Sequence, residues 1–279
     1  MGNARDYISL MRPNVCLLAV FAVAVGYLLS PQPTTMQGHD YFVLFAAALA
    51  AFLVCAAGNV INDYFDHKID KINAPNRPIP RGAVKRNSAL VFYAVLSVSG
   101  IALAAYVSLQ FFAIAIVNFA ILSAYGWRLK RSLYLKNATV SWLSSSSFVA
   151  GGLIGNAWIS EMVSLIFIAS FLGTFSREVF KDVEDVTGDR KQGARTFATE
   201  FGKQSTAVIA SLLALTALAS VMLPYLVGSQ TIVYVIVVLP GVAFGAAAIL
   251  FRNDAKKSQN MLKASMYCLV MAFVLMSFL

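Results

Sequence analysis

The sequence predicts an all-α membrane protein in which nine apolar helices cross the bilayer. First, 59% of the 279 residues are hydrophobic and only 13% are charged, whereas roughly a quarter of the residues in a soluble domain are charged. Second, the apolar residues form runs long enough to cross a hydrocarbon core of about 30 Å. Third, Lys and Arg occur only in alternate connections between these runs. These observations exclude a soluble enzyme and a disordered tail.

The length of each apolar run determines how many spans it contains. A helix rises about 1.5 Å per residue, so the run 88–126 is nearly twice as long as the hydrocarbon core and must fold back near 108–110. The same argument divides the runs 139–175 and 205–251. We treat 1–279 as one integral-membrane domain. Its predicted spans are 14–30, 41–61, 88–107, 110–126, 139–155, 162–176, 205–224, 230–251 and 264–279.

The basic residues predict the orientation of the chain in the cell membrane. All 22 Lys and Arg residues lie in the N-terminal segment and in the connections after spans two, four, six and eight. Because basic loops stay in the cytoplasm, we expect a cytoplasmic N-terminus and an external C-terminus. The net charge of +9 is explained by contact with membrane lipid, so no nucleic acid is expected as a partner. Nothing in the sequence indicates a required protein partner.

Two short clusters contain eight of the 13 acidic residues, and their spacing is the same. Aligned at Asp63 and Asp182, each has acids at i, i+3 and i+7, and an offset of 119 residues relates the two sets. Asn59 and Glu178 stand four residues earlier. On a helix these positions fall within an arc of about 60°, so each cluster predicts a polar stripe at the cytoplasmic end of a span. The aspartates are Asp63, Asp66, Asp70, Asp182, Asp185 and Asp189.

Carboxylates stacked at a membrane boundary repel one another unless a cation neutralises them. Mg²⁺ prefers hard oxygen ligands and leaves coordination positions for water and substrate phosphates. Two acidic stripes have the ligands for two such ions, which a diphosphate would bridge. Neutralised in this way, the diphosphate becomes a good leaving group.

Two other interpretations of the acids remain open. One is that they lie on solvated helix ends and are neutralised by basic residues one turn away. Lys181 is three residues from both Glu178 and Glu184, but no Lys or Arg stands three or four residues from the acids of the first cluster. The other interpretation is a cation transporter, whose acids would mark an ion path; against it, these acids lie at the ends of spans.

Basic residues adjoin both clusters, as phosphate binding requires. Arg77 and Arg81 follow the first cluster in a stretch that two prolines stiffen. Lys191 follows the second cluster, and the connection after span four adds Arg128 and Lys130. We therefore expect these side chains to contact phosphate oxygens.

Both clusters resemble signatures of the UbiA superfamily of intramembrane prenyltransferases. The first signature reads Asn62-Asp63-x-x-Asp66-x-x-x-Asp70, followed by Asn76-Arg77-Pro78-x-Pro80. The second reads Glu178…Asp182-x-x-Asp185-x-x-x-Asp189. The resemblance covers nearly the whole chain. It implies a nine-transmembrane-helix bundle of UbiA type, in which cytoplasmic cap loops cover Mg²⁺ and a prenyl diphosphate and the prenyl tail occupies a tunnel open to lipid.

The second motif is most similar to the branch of this family that makes archaeal ether lipid. That similarity implies Mg²⁺-dependent transfer of a geranylgeranyl group from geranylgeranyl diphosphate to the hydroxyl of geranylgeranylglyceryl phosphate, a phosphorylated lipid acceptor. The product contains the second ether bond of the lipid. A prenyltransferase with an aromatic acceptor, such as a quinone, chlorin or haem precursor, is the alternative within the family. A metal-ion transporter is the alternative outside it.

The resemblance also implies roles for individual residues. All six aspartates are expected metal ligands, and an acid of either cluster or the diphosphate itself would accept the proton of the acceptor. The residues expected to act in catalysis are Asp66, Asp70, Asp185, Asp189 and Lys130. Those expected to bind substrate are Asn59, Asn62, Arg77, Arg81, Tyr125, Arg128, Glu178, Lys181 and Lys191.

Overall fold

All regular structure in the described part of the chain is helical. The computed structural model describes residues 3–31, 38–127, 134–155, 158–191 and 193–277. Its ten helices are α1 (Ala4–Met11), α2 (Pro13–Leu28), α3 (Gly38–Asn73), α4 (Arg86–Val107), α5 (Leu109–Trp127), α6 (Leu135–Gly152), α7 (Glu161–Lys191), α8 (Phe197–Leu226), α9 (Ile232–Leu250) and α10 (Ala255–Met276). The all-helical prediction is confirmed for these residues.

Six of these helices are long and apolar enough to cross a membrane, namely α3, α4 and α7 to α10. The pair α1 and α2 is bent by 49° and brings the number to seven if it forms one span. Helix α5 is apolar but shorter, and the serine run 144–147 lowers the hydropathy of α6. Each of α2 to α10 overlaps one predicted span, but nine membrane crossings stay a prediction.

Contacts divide the chain into two compact units. The first contains Met1–Tyr27, Pro31–Lys130 and Ala150–Trp158, and therefore most of α1 to α5. The second contains Leu28–Ser30, Arg131–Val149 and Ile159–Leu279, and therefore most of α6 to α10. Each acidic cluster lies in a different unit, on α3 and on α7 respectively.

Helix α3 is central to the first unit, where it packs against α1, α4 and α5. Ala56 and Val60 of α3 are fully buried in a core that includes Leu10 of α1. Where α6 ends, Gly151 contacts α2 so closely that a Cβ would lie 2.0 Å from the carbonyl oxygen of Val23. Only glycine permits this approach of two backbones.

Helix α7 has the same role in the second unit, where it packs against α8 and α10. Val179 and Phe180 of α7 are fully buried together with Ala210 of α8 and Ala248 of α9. Thr196 caps the start of α8: its hydroxyl accepts a hydrogen bond from the amide of the third helical residue, the usual way of satisfying a free amide at a helix start.

Both acidic clusters lie on uninterrupted helix. Helix α3 continues past the end of its predicted span at residue 61 to Asn73, and α7 continues past residue 176 to Lys191. The acids at i, i+3 and i+7 therefore share one side of each helix, because these spacings are close to whole turns. The central helix of each unit, α3 or α7, therefore carries its cluster of carboxylates near its C-terminal end.

Candidate functional site

The three aspartates of the first cluster are buried although they are ionisable. Asp63, Asp66 and Asp70 are only 2%, 7% and 5% exposed. Burying a carboxylate is costly unless it is paired and hydrogen-bonded. The partners of these acids therefore determine what the cluster can do.

Two guanidinium groups reach the first cluster from outside α3. Arg12, in the break between α1 and α2, donates a hydrogen bond to Asp63. Arg77, in the connection after α3, donates from Nη1 to Asp70 Oδ2 at 2.7 Å and lies 3.5 Å from Asp63 Oδ1. Burial lowers the pKa of Arg77, but the bond to Asp70 and the charge of Asp63 outweigh it and raise the pKa above its ordinary value. Arg77 therefore joins two acids that are two helical turns apart.

In the second cluster both oxygens of one buried aspartate are satisfied from α6. Asp182 is 1% exposed, and its Oδ1 accepts a hydrogen bond from Lys136 Nζ at 2.9 Å. Its Oδ2 accepts one from Asn137 Nδ2, also at 2.9 Å. Burial lowers the pKa of Lys136, but the charge of Asp182 and its bond outweigh it and leave the pKa above its ordinary value. Lys136 is therefore a cation held against a buried acid.

The other acids of the second cluster differ in exposure. Glu178 is buried and accepts a hydrogen bond from Arg177 at 2.5 Å. Asp189 is half-buried, whereas Asp185 is exposed. Glu184 is also exposed and accepts a bond from Gln259 of α10. The polar stripe is therefore buried and paired at Glu178 and Asp182, exposed at Asp185 and half-buried at Asp189.

Two oxygens in the clusters are suited to a hard cation. Asn62 Oδ1 and Asp189 Oδ2 are buried and have no hydrogen-bond partner, an arrangement that costs free energy unless a ligand or water satisfies the atom. Mg²⁺ takes such oxygen ligands. Among the described residues, however, no group of three His, Cys, Asp or Glu side chains could hold a metal ion. Asp63, Asp70 and Asp182 are instead bound by Arg12, Arg77 and Lys136.

The structure gives the partners or the exposure of several predicted substrate-binding residues. Arg81 forms an ion pair with Asp6 of α1. Asn59 donates to the carbonyl oxygen of Met11 at 2.9 Å. Lys181 and Lys191 are exposed on α7, and Tyr125 is half-buried in α5. Two further predicted residues, Arg128 and Lys130, lie outside the described residues.

The spacing suggests that Lys181 neutralises Glu178, one helical turn away, but in α7 Glu178 has a different partner. Glu178 pairs with Arg177, because Glu178 is buried on the side of the helix opposite to solvent while Lys181 is exposed. The first cluster also has cations after all, from Arg12 and Arg77. Arg12 lies 51 residues before Asp63, and Arg77 lies seven residues after Asp70, so neither has the spacing of one helical turn.

Sequence reasoning missed three residues that bind the aspartates: Arg12, Lys136 and Asn137. In the sequence, Arg12 and Lys136 serve only as signals of membrane topology. The sequence nonetheless contains a pattern that marks these residues. In each half a basic residue stands within one position of the start of the helix that precedes the acidic helix. An asparagine follows it within two positions, as Arg12…Asn14 and as Lys136-Asn137.

Comparisons with known proteins match nearly the whole chain. The model of the UbiA prenyltransferase family matches residues 17–274. The digeranylgeranylglyceryl phosphate synthase of Methanococcoides burtonii is 37% identical over 281 residues, which cover 97% of this chain and 99% of that protein.

Two solved structures have a similar fold. One, from a study of digeranylgeranylglyceryl phosphate synthase in membranes, has a TM-score of 0.85 at 30% identity and 98% coverage of both chains. The other, a UbiA homolog from Archaeoglobus fulgidus bound to GPP and Mg²⁺, has a TM-score of 0.74 at 18% identity. It covers 98% of this chain and 100% of that chain, and at this identity the likeness concerns the fold alone.

Proposed function

Because the chain belongs to the UbiA prenyltransferase family, we propose that it transfers a geranylgeranyl group from geranylgeranyl diphosphate to the free hydroxyl of geranylgeranylglyceryl phosphate. The reaction breaks the allylic C–O bond of the diphosphate and forms an ether bond to the acceptor oxygen. It releases diphosphate and the hydroxyl proton. The main support is the full-length similarity to the synthase of Methanococcoides burtonii.

The paired acids and cations of each unit suit this chemistry. A diphosphate needs positive charge around its oxygens as it leaves. Arg77 and Lys136 are cations already held in position by buried carboxylates, so little reorganisation is needed when an anion arrives. In our proposal each of these side chains donates to phosphate oxygens of a substrate, Arg77 through its planar guanidinium and Lys136 as a point charge.

The aspartates of the two clusters are the proposed ligands of Mg²⁺. The support is the chemistry of the donor set, in which Asn62 Oδ1 and Asp189 Oδ2 are buried oxygens that lack a partner. When bound, Mg²⁺ would neutralise charge on the departing diphosphate. Asn62 and Glu178 orient the substrate, and Asp185, the exposed acid, is accessible to it from solvent.

The proposed topology follows from the distribution of charge. Nine crossings, a cytoplasmic N-terminus and an external C-terminus place the acidic ends of α3 and α7 at the cytoplasmic surface, because the connections that follow both helices are rich in Lys and Arg. Donor and acceptor then keep their charged groups at this surface and their prenyl chains in the apolar part of the protein.

The direct test is product formation by the purified full-length chain in lipid nanodiscs. We expect labelled geranylgeranyl diphosphate and geranylgeranylglyceryl phosphate to give a diether product with Mg²⁺, and no product with EDTA. A parallel reaction with an aromatic acid tests the alternative acceptor class. Prenylation of the aromatic acid alone would contradict the proposed acceptor. Ion flux in proteoliposomes without any prenyl transfer would contradict the enzyme assignment altogether.

A further inference from the structure

One buried acid joins the short helix α1 to the connection between α3 and α4, residues 74–85. Asp6 of α1 is only 9% exposed, and both oxygens of its carboxylate accept hydrogen bonds. Oδ2 accepts one from the backbone amide of Asn3 at 3.0 Å, an arrangement typical of helix starts. Oδ1 accepts one from the guanidinium of Arg81, which belongs to the connection. Asp6 therefore links the start of α1 to this connection.

Backbone hydrogen bonds and apolar packing give the connection a fixed shape. The amide of Arg81 donates to the carbonyl oxygen of Arg77 at 3.1 Å. Ile79 and Val84 are buried in the core that also contains Leu10 of α1. A displacement of Arg81 therefore also displaces Arg77, because one hydrogen-bonded turn contains both residues.

Arg77 is the residue of this turn that reaches the acidic cluster. Its Nη1 lies 2.7 Å from Asp70 Oδ2 and 3.5 Å from Asp63 Oδ1. Hydrogen bonds weaken steeply when their geometry changes, whereas apolar packing is not directional. The position of the guanidinium between two acids therefore depends on directional contacts of the turn. The charged hydrogen bond between Asp6 and Arg81 is such a contact.

The pair of Asp6 and Arg81 differs from an ordinary surface ion pair. The side chain of Asp6 is 12% exposed, whereas that of Glu200, which pairs with Arg195, is 36% exposed. Solvent screens exposed pairs, so they contribute little. A buried carboxylate that loses its cation is strongly unfavourable. Asp6 therefore holds Arg81 in place more firmly than a surface acid does.

We propose that Asp6 is a positioning residue for prenyl transfer, which acts through Arg81 to hold Arg77 against Asp63 and Asp70. This inference rests on the proposed function, in which Arg77 donates to phosphate oxygens of a substrate. Asp6 is an anion and does not itself bind phosphate. A guanidinium that is already in position binds an arriving phosphate at a smaller cost in conformational entropy.

The test is Asp6→Asn, because charge alone predicts the opposite of the proposed effect. The change removes a negative charge from the first unit, and by Coulomb's law this favours an anionic substrate and lowers KM. If Asp6 acts by positioning, KM for geranylgeranyl diphosphate should instead rise about three- to tenfold, with kcat unchanged. The side-chain oxygen of asparagine still accepts the bond from Asn3, so the start of α1 is kept.

A double variant shows whether Asp6 acts through Arg77. In an Arg77→Ala background, Asp6→Asn should raise KM no further, because the residue that Asp6 positions is absent. Added to Arg81→Gln, it should likewise cause no further rise, since the pair is already broken. Asp254→Asn is the matched control. Asp254 accepts a bond from an amide at the start of α10 at 3.0 Å but is exposed, and its change should leave KM as in the wild type.

Three results would overturn the inference. The first is an unchanged or lower KM in Asp6→Asn. The second is a further rise in KM when Asp6→Asn is added to Arg77→Ala, since Asp6 would then act by another route. The third is a fall in kcat with KM as in the wild type, which is the effect of a purely structural role that reduces the amount of folded enzyme.

Amide hydrogen exchange separates this inference from the proposed function. Exchange of residues 78–85 is measured by mass spectrometry on the full-length chain in nanodiscs, without substrate. In Asp6→Asn we expect these amides to exchange about three- to tenfold faster than in the wild type, and in Asp254→Asn at the wild-type rate. If the wild type transfers nothing, the proposed function fails while the exchange rates still test how Asp6 fixes the turn. Equal rates in the wild type and Asp6→Asn would overturn the inference.

Discussion

The ion pair between Lys136 and Asp182 gives a quantitative prediction for Lys136→Met. This change leaves a carboxylate that is 1% exposed with only one donor, Asn137. Removing one partner of a buried pair costs about 3–5 kcal/mol. We expect the lower end, about 3 kcal/mol, because the Lys136 side chain is 20% exposed and Asn137 still donates. The variant therefore loses stability mainly because the buried carboxylate of Asp182 no longer has a cationic partner.

The assay is thermal unfolding in detergent of the full-length chain. For a protein of this size, 1 kcal/mol shifts Tm by about 2–4 °C, so Tm should fall by about 6–12 °C. Lys181→Met makes the same chemical change at an exposed position of α7, where a surface substitution is expected to shift Tm by less than about 2 °C.

A second variant identifies the cause of the loss. Lys136→Met combined with Asp182→Asn removes both charges, so it should recover at least half of the lost stability. If Tm of Lys136→Met equals that of Lys181→Met, the buried pair does not stabilise the second unit. If the double variant is no more stable than the single one, the loss does not come from an unpaired carboxylate, and the reasoning is refuted.

Three further variants test other parts of the structure. Arg77→Ala should raise KM for the prenyl diphosphate about 10- to 100-fold, as loss of a charged hydrogen bond predicts; an unchanged KM in steady-state kinetics would contradict its role. Asp66→Ala combined with Asp185→Ala should abolish Mg²⁺-dependent turnover, and Mg²⁺ titration that still saturates with normal kcat would overturn the metal assignment. Gly151→Ala adds a Cβ 2.0 Å from a carbonyl oxygen of α2 and should lower stability by about 1–3 kcal/mol, whereas Gly173→Ala, with no neighbouring atom within 4 Å, should change Tm little.

The sequence predicts the helical parts well because their signals are local. The spacing of Asp63, Asp66 and Asp70 predicts a one-sided stripe on a helix, and α3 does continue through all three positions. The turn between α4 and α5 was expected near 108–110, and the structure has it at Ser108. Both features depend on residues a few positions apart, within which helix geometry is fixed.

The partners of the acids could not be predicted in the same way. Arg12 and Asp63 are 51 residues apart, and Lys136 and Asp182 are 46 apart. Such pairs depend on which helices pack together, and the charge pattern alone does not determine this. Arg81 illustrates the same limit: its ion pair with Asp6 joins residues 75 positions apart, while the phosphate contact expected of it stays a prediction.

The positions of Arg12 and Lys136 along the chain determine the order in which the members of each ion pair are synthesised. Arg12 and Lys136 both lie earlier in the chain than the acids they bind. A ribosome therefore completes each cation, and the helix beside it, before the matching aspartate is synthesised. Asp63 and Asp182 are therefore never present in a growing chain that lacks their partner cations.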